Sequence, residues 1–575
     1  MRATFRARLR ILLGIIGLIA LLLVARLYFV QIVNGSEYAL RADRQYLSQS
    51  QALFDRGSIY FTRQDGTLIS AASLGRGFLL SLNPSKIKDA EAAYQALSAL
   101  TPLDHDAFIA AATKPHDVYE EVAHRLPEDV GTRIAALKIP GVSPLRERWR
   151  EYPGGALAAQ SIGFIAYNGG DTLAGRYGLE RYYDDTLARD NGSLYQNFFA
   201  QLFANLGNAL VDARASRQGD IETTIEPQVQ AHLEDDLKAV QAKYASRETG
   251  GIIMNPATGE IIALGATPGF DLSDFQNGNA EHFGNPLVSS VYEFGSIMKP
   301  LTMASGIDAG VVTPSTTYND TGCIEVNGSK ICNFDLKARG VVPMQEVLSQ
   351  SLNVGASYIA TRLGPDRFRT YFTSLRFGEE TGIDLPSEIH GITGNLKSPR
   401  QLEYDNMSFG QGIAETPVEM IRALGTLANR GSMVTPHLAR AIRLDSGITK
   451  TLDWGEPVPV FKPESAQAVT QMLTQVVDTA LAHGAKKIPE MSVAAKTGTA
   501  QMAAPGGGYY ANEYFHSFFG YFPSYSPHFI ILLYTVKPQG VQYASETLTD
   551  TFADLVHFLV SYYGVPPDRA NENNP

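Results

Sequence analysis

The sequence predicts an α+β fold built in several parts, and three observations lead to this prediction. The chain has 575 residues, which is too long for one ordinary domain. It opens with arginines followed by an apolar run, and between residues 223 and 565 strand-like apolar segments enclose helix-like ones. We therefore expect a single transmembrane anchor helix, an elongated N-terminal domain, and a larger domain with an antiparallel sheet sandwiched by helices.

Composition narrows the classes of function. The formal net charge is −11, so the chain lacks the basic surface that nucleic acid requires, and no nucleic-acid partner is expected. The eleven histidines show no spacing typical of metal ligands, so no metal site is expected either.

The amino terminus predicts a membrane anchor. Four arginines lie within residues 1–10, which we expect to stay in the cytoplasm, and the apolar run over residues 11–33 is long enough to span a bilayer. Arg26 interrupts this run, but its side chain can extend to the membrane surface. A cleaved signal peptide and a buried soluble helix are the alternatives. No small-residue cleavage site follows the run, and the cluster of four arginines lies on one side of it.

Residues 34–222 are expected to form the N-terminal domain. Residues 56–69 indicate a strand, a turn and a strand, and the alanine-rich residues 89–137 have helical spacing typical of packing. A glycine-rich block follows over residues 152–183.

Residues 223–565 are expected to form the second domain, followed by a disordered tail over residues 566–575. A helix is predicted from Pro227 to about Lys243, then a hairpin of apolar strands over residues 251–264. Residues 416–419 carry a capping-box pattern, so a helix should start there and stop by Gly431. The glycines of residues 410–412 indicate either a close approach of backbone to a cleft or a tight turn. Late in the chain, residues 518–522 and 529–534 predict strands, and residues 550–562 a covering helix.

Ser296 and Lys299 are the first candidates for chemistry. If a helix begins near Ser296, the three-residue spacing places the lysine amine on the same face, one turn away. A serine needs such a base to take its proton, and a lysine serves only if its pKa is lowered by burial or by another cation. An ordinary helix start is the alternative. Ser85 and Lys88 have the same spacing, which we interpret as a solvated turn.

Two later motifs favour the catalytic interpretation. Ser351 and Asn353 lie between two helix-like segments, and Lys496-Thr497-Gly498 follows a strand-like stretch. Ser-x-x-Lys, Ser-x-Asn and Lys-Thr-Gly in this order resemble the motifs of penicillin-binding proteins and serine β-lactamases.

Further stretches resemble class B penicillin-binding proteins along nearly the whole chain. Arg-Gly-Ser-Ile at residues 56–59 and Gly-Leu-Glu at residues 178–180 resemble the non-catalytic pedestal domain of that class, although residues 60–64 depart from the usual pattern. Residues 351–355 and 408–417 look more like division-type enzymes than elongation-type ones.

The resemblance implies a peptidoglycan D,D-transpeptidase that works through a serine acyl-enzyme. Ser296 would attack the D-Ala-D-Ala stem peptide, with Lys299 as base, and an amine of a second stem peptide would close the cross-link. Ser351 would relay a proton to the leaving nitrogen, and Asn353 would donate to the substrate amide while bonding Lys299. Lys496 would supply a positive charge for the substrate's terminal carboxylate and would keep Lys299 neutral by charge repulsion. Thr497, Gly498 and Thr499 would bind the substrate. The backbone N–H groups of Ser296 and Thr499 would form the oxyanion hole.

The resemblance also implies a cellular setting. The protein would be a single-pass protein of the bacterial inner membrane with its catalytic domain outside the cytoplasm. Its partners would be peptidoglycan stem peptides, β-lactams as inhibitors, and a membrane glycosyltransferase with other division proteins. No cofactor is implied. A D,D-carboxypeptidase or β-lactamase type of hydrolase and a membrane-anchored division scaffold are the alternatives.

The two cysteines are predicted to face each other in a hairpin. Asn327-Gly328 is a strong signal for a two-residue turn, and counting outward pairs Cys323 with Cys332 at a short Cα separation. An extracytoplasmic location permits oxidation, so we expect a disulfide near the cleft, with two buried thiols as the alternative.

Overall fold

The computed structural model describes residues 54–167, 173–189 and 218–569. The predicted cytoplasmic tail at residues 1–10, the anchor at residues 11–33 and most of the predicted C-terminal tail lie outside these ranges. Within the described ranges, no helix combines the length and the apolar character that crossing a membrane requires. Two compact units are present among these residues, a smaller one that holds residues 74–149 and a larger one that holds residues 56–73, 150–167, 173–189 and 218–569.

The first stretch of chain, up to residue 189, alternates short strands and helices. In chain order the elements are β1 (Ile59–Thr62), β2 (Leu68–Leu82), α1 (Ala90–Ser98), α2 (His105–Ala112), β3 (Glu120–Leu126), α3 (Glu128–Leu137), β4 (Val142–Glu151), α4 (Ala159–Ile162), β5 (Ile165–Tyr167), β6 (Leu173–Gly175), α5 (Gly178–Tyr182) and α6 (Asp184–Leu187).

The second stretch carries the larger sheet and the longer helices. Its elements are β7 (Gly219–Thr223), α7 (Pro227–Tyr244), β8 (Glu248–Met254), β9 (Ile261–Thr267), α8 (Pro286–Ser289), α9 (Lys299–Asp308), β10 (Thr317–Asp320), β11 (Cys323–Val326), β12 (Ser329–Cys332), β13 (Gly340–Pro343), α10 (Met344–Ser349), α11 (Asn353–Ser374), α12 (Gln401–Met407), α13 (Pro417–Ala428), β14 (Ser432–Met433), β15 (Ala439–Leu444), β16 (Thr449–Thr451), β17 (Val458–Pro459), α14 (Pro463–Gln475), β18 (Ala494–Ala503), β19 (Tyr509–Phe522), β20 (Phe529–Val536), α15 (Ala544–Thr547) and α16 (Thr549–Tyr563).

The smaller unit packs three helices against the strands β2, β3 and β4, of which β3 and β4 each pair with β2. The later part of β2 pairs antiparallel with β3, with Phe78 opposite Leu126. Apolar side chains from both strands and from α1, α2 and α3 form the core. The helical prediction over residues 89–137 is right for the three helices and wrong for β3. Val122 and Leu126 have helical spacing, but backbone pairing with β2 overrides that local pattern.

The larger unit is organised around a five-stranded antiparallel sheet with the strand order β18-β19-β20-β8-β9. One face is covered by α7 and α16, which bury apolar side chains against it, and the opposite face packs on the main core, to which α9, α11 and α13 contribute. A second sheet joins β1 to β7 in parallel and β7 to β15 antiparallel. The α+β prediction is confirmed, as are the predicted helix after Pro227, the hairpin of β8 and β9, and the terminal helix.

The helix α13 begins as the sequence predicts. The Thr416 hydroxyl accepts a hydrogen bond from the Glu419 N–H, and the Glu419 carboxylate accepts one from the Thr416 N–H, so the capping box is formed. Such a cap stabilises a helix by about 1 kcal/mol. The helix ends at Ala428, before Gly431, and every one of its residues is buried.

Candidate active site

Ser296 lies in a short 3₁₀ segment, the serine turn (Gly295–Met298), which leads directly into α9. Gly295 has φ +63°, and a Cβ there would lie 2.8 Å from the Thr499 carbonyl oxygen. Only glycine fits both the conformation and the space. The turn is therefore held against β18, the strand that carries the third motif.

Lys299 opens α9, and its amine contacts both candidate serines. Its Nζ lies 2.9 Å from Ser296 Oγ, 3.1 Å from Ser351 Oγ and 2.6 Å from the Ser351 carbonyl oxygen. The side chain is only 1% exposed. This burial lowers the pKa of Lys299 well below its ordinary value, and the charge of Lys496 lowers it further. A neutral amine in this position can accept the proton of Ser296.

Ser351 connects α10 to α11 in a left-handed conformation, with φ +56°. This backbone turns its carbonyl oxygen and its hydroxyl towards Lys299. Asn353 is the first residue of α11, and its side-chain Nδ2 donates to the Cys332 carbonyl oxygen at 2.9 Å. The expected hydrogen bond between Asn353 and Lys299 is not among those of the described residues, because the asparagine amide faces the carbonyl of the neighbouring hairpin instead.

The third motif lies on β18, the edge strand of the large sheet. Lys496 is 4% exposed, and its Nζ donates to the Thr497 carbonyl oxygen at 3.0 Å. Burial lowers the pKa of Lys496 to about 7. Thr499 accepts a hydrogen bond from the Ala544 N–H through its hydroxyl oxygen, which leaves the hydroxyl proton free to donate to a bound anion. Gly498 allows close packing, because a Cβ there would meet Ser517 Oγ and lie 2.5 Å from the Phe294 carbonyl oxygen.

Glu293 is a residue at this site that the sequence did not single out. Its Oε1 accepts hydrogen bonds from the Gly412 N–H at 2.9 Å and from the Tyr509 hydroxyl at 3.2 Å. Burial raises the pKa of this carboxyl. The Gly295 N–H donates to the Gly410 carbonyl oxygen, so the 410–412 glycines bring backbone against the serine turn. A carboxylate three residues before Ser296 was visible in the sequence, but no motif gave it a partner.

The cysteine hairpin has the predicted register. Cys323 pairs with Cys332, Ile324 with Ile331, Glu325 with Lys330 and Val326 with Ser329. Asn327 and Gly328 form the turn with φ values of +48° and +77°. The two cysteines are joined as a disulfide, with Cα atoms 4.0 Å apart. The hairpin is thus a closed ring of chain beside the start of α11.

Ser85, the serine with the same local spacing, has a different environment. It lies in a 3₁₀ turn, and its hydroxyl donates to the Asp117 carbonyl oxygen at 2.8 Å. Of these two serines, Ser296 is the one whose hydroxyl faces a buried amine. The arrangement around Ser296 offers a nucleophile, a base with lowered pKa and a second amine on an edge strand, which suits acyl transfer from a carboxylate-bearing substrate to the serine.

Comparisons with known proteins agree with this chemistry. Residues 249–557 match the family model described as the penicillin binding protein transpeptidase domain. Stage V sporulation protein D of Bacillus subtilis is 27% identical over 578 residues, which covers 98% of this chain and 87% of that protein. Peptidoglycan D,D-transpeptidase FtsI of Buchnera aphidicola is 24% identical over 573 residues, which covers 97% and 95%.

Solved structures show the same fold. Penicillin binding protein 3 of Mycobacterium tuberculosis, complexed with ampicillin, superposes with a TM-score of 0.69 at 22% identity and covers 91% of this chain and 98% of its own. Penicillin Binding Protein 2X of Streptococcus thermophilus superposes with a TM-score of 0.74 at 20% identity and covers 89% and 81%.

Proposed function

The chain belongs to the family of penicillin-binding protein transpeptidases, and from this premise we propose that it cross-links peptidoglycan stem peptides through an acyl-enzyme on Ser296. The observation that carries the proposal is the position of the Lys299 amine. It is buried, burial and the charge of Lys496 lower its pKa, and it lies within hydrogen-bond distance of two serine hydroxyls.

In the first half-reaction, Lys299 takes the proton of Ser296 while Oγ attacks the carbonyl between the two D-alanines. The bond to the terminal D-alanine then breaks. Its nitrogen receives a proton through Ser351, whose hydroxyl contacts the now charged Lys299. Backbone N–H groups of Ser296 and Thr499 stabilise the oxyanion. The products are an ester on Ser296 and free D-alanine.

In the second half-reaction, a side-chain amine of a neighbouring stem peptide attacks the ester carbonyl. Lys299 takes the proton from the amine and returns it to Ser296 Oγ as the ester bond breaks, so the enzyme is restored and a new amide remains. Lys496, in its charged form, and the Thr499 hydroxyl bind the terminal carboxylate of the donor peptide. β-Lactams present a carboxylate and a strained amide, so they would acylate the same serine.

Mass mapping of the penicilloyl adduct tests the assignment. The label is expected on the peptide that contains Ser296, and Ser296→Ala is expected to remove it. Label on Ser85, or none on Ser296 in folded protein, would overturn the mechanism. A donor peptide and an acceptor amine then distinguish the reaction: an amide-linked dimer supports transpeptidation, whereas D-alanine release without dimer would identify a hydrolase.

We also infer a septal role for the enzyme in the inner membrane. Support comes from the resemblance of residues 351–355 and 408–417 to division-type enzymes, and from the arginine-flanked apolar run at residues 11–33. Partners would be a membrane glycosyltransferase and other division proteins. Depletion in the native cells is expected to give filaments; rounded cells would instead identify an elongation role. Resistance to alkaline extraction from membranes tests the anchor.

A further inference from the structure

The helix that carries Asn353 begins without a cap of its own. The first N–H groups of an α-helix have no partner within the helix and are satisfied from outside. The residue before α11 is Leu352, whose side chain cannot accept a hydrogen bond. The Val354 N–H instead donates to the side-chain Oδ1 of Asn333, at 3.1 Å. The start of α11 is therefore capped by a residue that lies 21 positions earlier in the chain.

Asn333 is itself held in one orientation. It is 1% exposed, and its backbone N–H donates to the Gly322 carbonyl oxygen at 2.8 Å. Its Nδ2 donates to both carboxylate oxygens of Asp320, at 2.9 and 3.0 Å. Asp320 is equally buried and also accepts from the Arg339 N–H at 3.0 Å. Because a carboxylate accepts and does not donate, Nδ2 must face Asp320, and Oδ1 is left to face Val354.

The neighbouring cysteine fixes the side chain of Asn353 by the same logic. The Cys332 carbonyl oxygen accepts from Asn353 Nδ2 at 2.9 Å, and since a carbonyl only accepts, this contact decides which end of the amide faces it. Cys332 lies at the end of β12, which pairs with β11 alone and has four residues. An isolated two-stranded hairpin is marginal in water. The disulfide to Cys323 closes this hairpin and holds the Cys332 carbonyl oxygen within hydrogen-bond distance of Asn353 Nδ2.

We propose that Asn333 and the Cys323–Cys332 disulfide are positioning groups that hold Asn353 for acylation of Ser296. The inference rests on the proposed function and adds a dependence on redox state. A dithiol such as dithiothreitol gives two electrons and two protons to the disulfide, producing two cysteine thiols and an oxidised, cyclic reductant. The freed hairpin no longer fixes the Cys332 carbonyl, so acylation becomes slower while the nucleophile and its base stay in place.

The first experiment measures the acylation rate constant of the full-length protein with a fluorescent penicillin, together with its melting temperature. Asn333→Ala removes the cap and is expected to slow acylation about tenfold. The matched control exchanges the two buried partners in Asp320→Asn/Asn333→Asp. In that variant the amide now at position 320 donates to the carboxylate now at position 333 and accepts from the Arg339 N–H. The relocated carboxylate accepts from the Val354 N–H, and the net charge is unchanged. The exchange does not reproduce the longer contact from Asn333 Nδ2 to the Lys337 carbonyl oxygen, at 3.4 Å. Recovery to within about threefold of wild type is expected.

The second experiment changes the redox state. Reduction with dithiothreitol followed by alkylation is expected to slow acylation of the wild type several-fold, and reoxidation without alkylation to restore it. Cys323→Ser/Cys332→Ser should be slow from the start and insensitive to reductant. If Asn333→Ala fails to fold, the comparison of oxidised wild type, reduced wild type and the double cysteine variant tests the proposal.

Some outcomes overturn the proposal. The proposal is wrong if folded Asn333→Ala and the reduced protein are both acylated at the wild-type rate. It is also wrong if the exchange variant folds but is acylated as slowly as Asn333→Ala. If the wild type itself is not acylated on Ser296, the proposed function fails. If the wild type is acylated on Ser296 but its rate depends neither on Asn333 nor on the disulfide, only this inference fails.

Discussion

Two walls flank the candidate active site, and they are built in different ways. The strand wall, Ala494–Ala503, carries Lys496 and pairs along its length with β19 in the five-stranded sheet. The hairpin wall, residues 323–333 with Ser351 and Asn353, relies on a two-stranded hairpin, a disulfide and a few side-chain hydrogen bonds. Pairing within a five-stranded sheet places the first wall, whereas one short hairpin, its disulfide and a few side-chain hydrogen bonds place the second. Substitutions in the strand wall should therefore alter the charge or the close packing beside Ser296. Substitutions in the hairpin wall should alter the positions of the side chains that it holds.

The largest effect is expected for Lys299→Arg, which leaves both walls in place and removes the base between them. A guanidinium does not give up its proton at usable pH, so acylation should fall by about 10²–10⁴-fold in folded protein. Lys496→Arg, on the strand wall, keeps a positive charge and should lose much less. Stopped-flow acylation of both variants makes the comparison. Equal losses would show that base and carboxylate anchor have been assigned wrongly.

Gly498→Ala tests how tightly the strand wall packs on the serine turn. The added Cβ would meet Ser517 Oγ and the Phe294 carbonyl oxygen. We expect the free energy of unfolding to fall by about 1–3 kcal/mol, with slower acylation. The control is Gly506→Ala in the hairpin after β18, where no atom lies within 4 Å of the new Cβ. Urea denaturation measures both, and equal stabilities would contradict the close packing.

The pH dependence of stability isolates the buried amine of the strand wall. Burial lowers the pKa of Lys496 to about 7 in the folded protein, against an ordinary value of 10.5. Between these values the unfolded chain binds a proton that the folded protein does not, so stability rises with pH, by at most about 1.4 kcal/mol per unit. Below about pH 7 Lys496 is protonated in both the folded and the unfolded protein. The stability gained from its deprotonation in the folded protein is then lost.

Lys496→Met should flatten this rise in urea denaturation between pH 7 and 10. Lys330→Met provides the control, because Lys330 is an exposed lysine on the hairpin wall and should leave the slope unchanged. Identical slopes for all three proteins would show that Lys496 titrates as an ordinary lysine.

The smallest effect is expected at the turn of the hairpin wall. Asn327 adopts φ +48°, and its Oδ1 accepts from the Leu402 N–H at the start of α12, at 3.1 Å. Asn327→Gly keeps the turn and loses that hydrogen bond, at a cost of about 1 kcal/mol. Asn327→Ala also strains the left-handed backbone and should cost about 1 kcal/mol more. Thermal unfolding orders the three proteins. A larger loss for glycine than for alanine would contradict this division.

Local signals in the sequence predicted much of the fold. Pro227 at a helix start, the Thr416 capping box and the Asn327-Gly328 turn each act over a few residues, and each forms as expected. β3 was missed because its strand character comes from pairing with β2 rather than from its own residues. The predicted domain boundary at residues 222–223 stays a prediction.

The candidate site was predicted as a set of residue types, and its contacts were not. The order of the three motifs led to Ser296 and Lys299, and the structure brings these two side chains together. The partner of Asn353 was unforeseen, because a backbone carbonyl has no signature in the sequence. Asn333 was missed because its role depends on a buried contact with Asp320, which lies 13 residues earlier in the chain. The roles assigned to the site residues remain predictions that the kinetic tests address.

The helix α13 has a consequence for how the protein opens. Its twelve residues, Pro417–Ala428, are all buried, including Glu419 and Arg422, so no face of this helix meets water. Its amide protons can reach solvent only when the surrounding core separates. In deuterium exchange, the amides of α13 should therefore be among the last to exchange, at a rate set by global unfolding. The amides of the turn at Asn327 and Gly328 should exchange through local fraying. The ratio of their exchange rate to that of the α13 amides would measure how often the hairpin opens while the core stays folded.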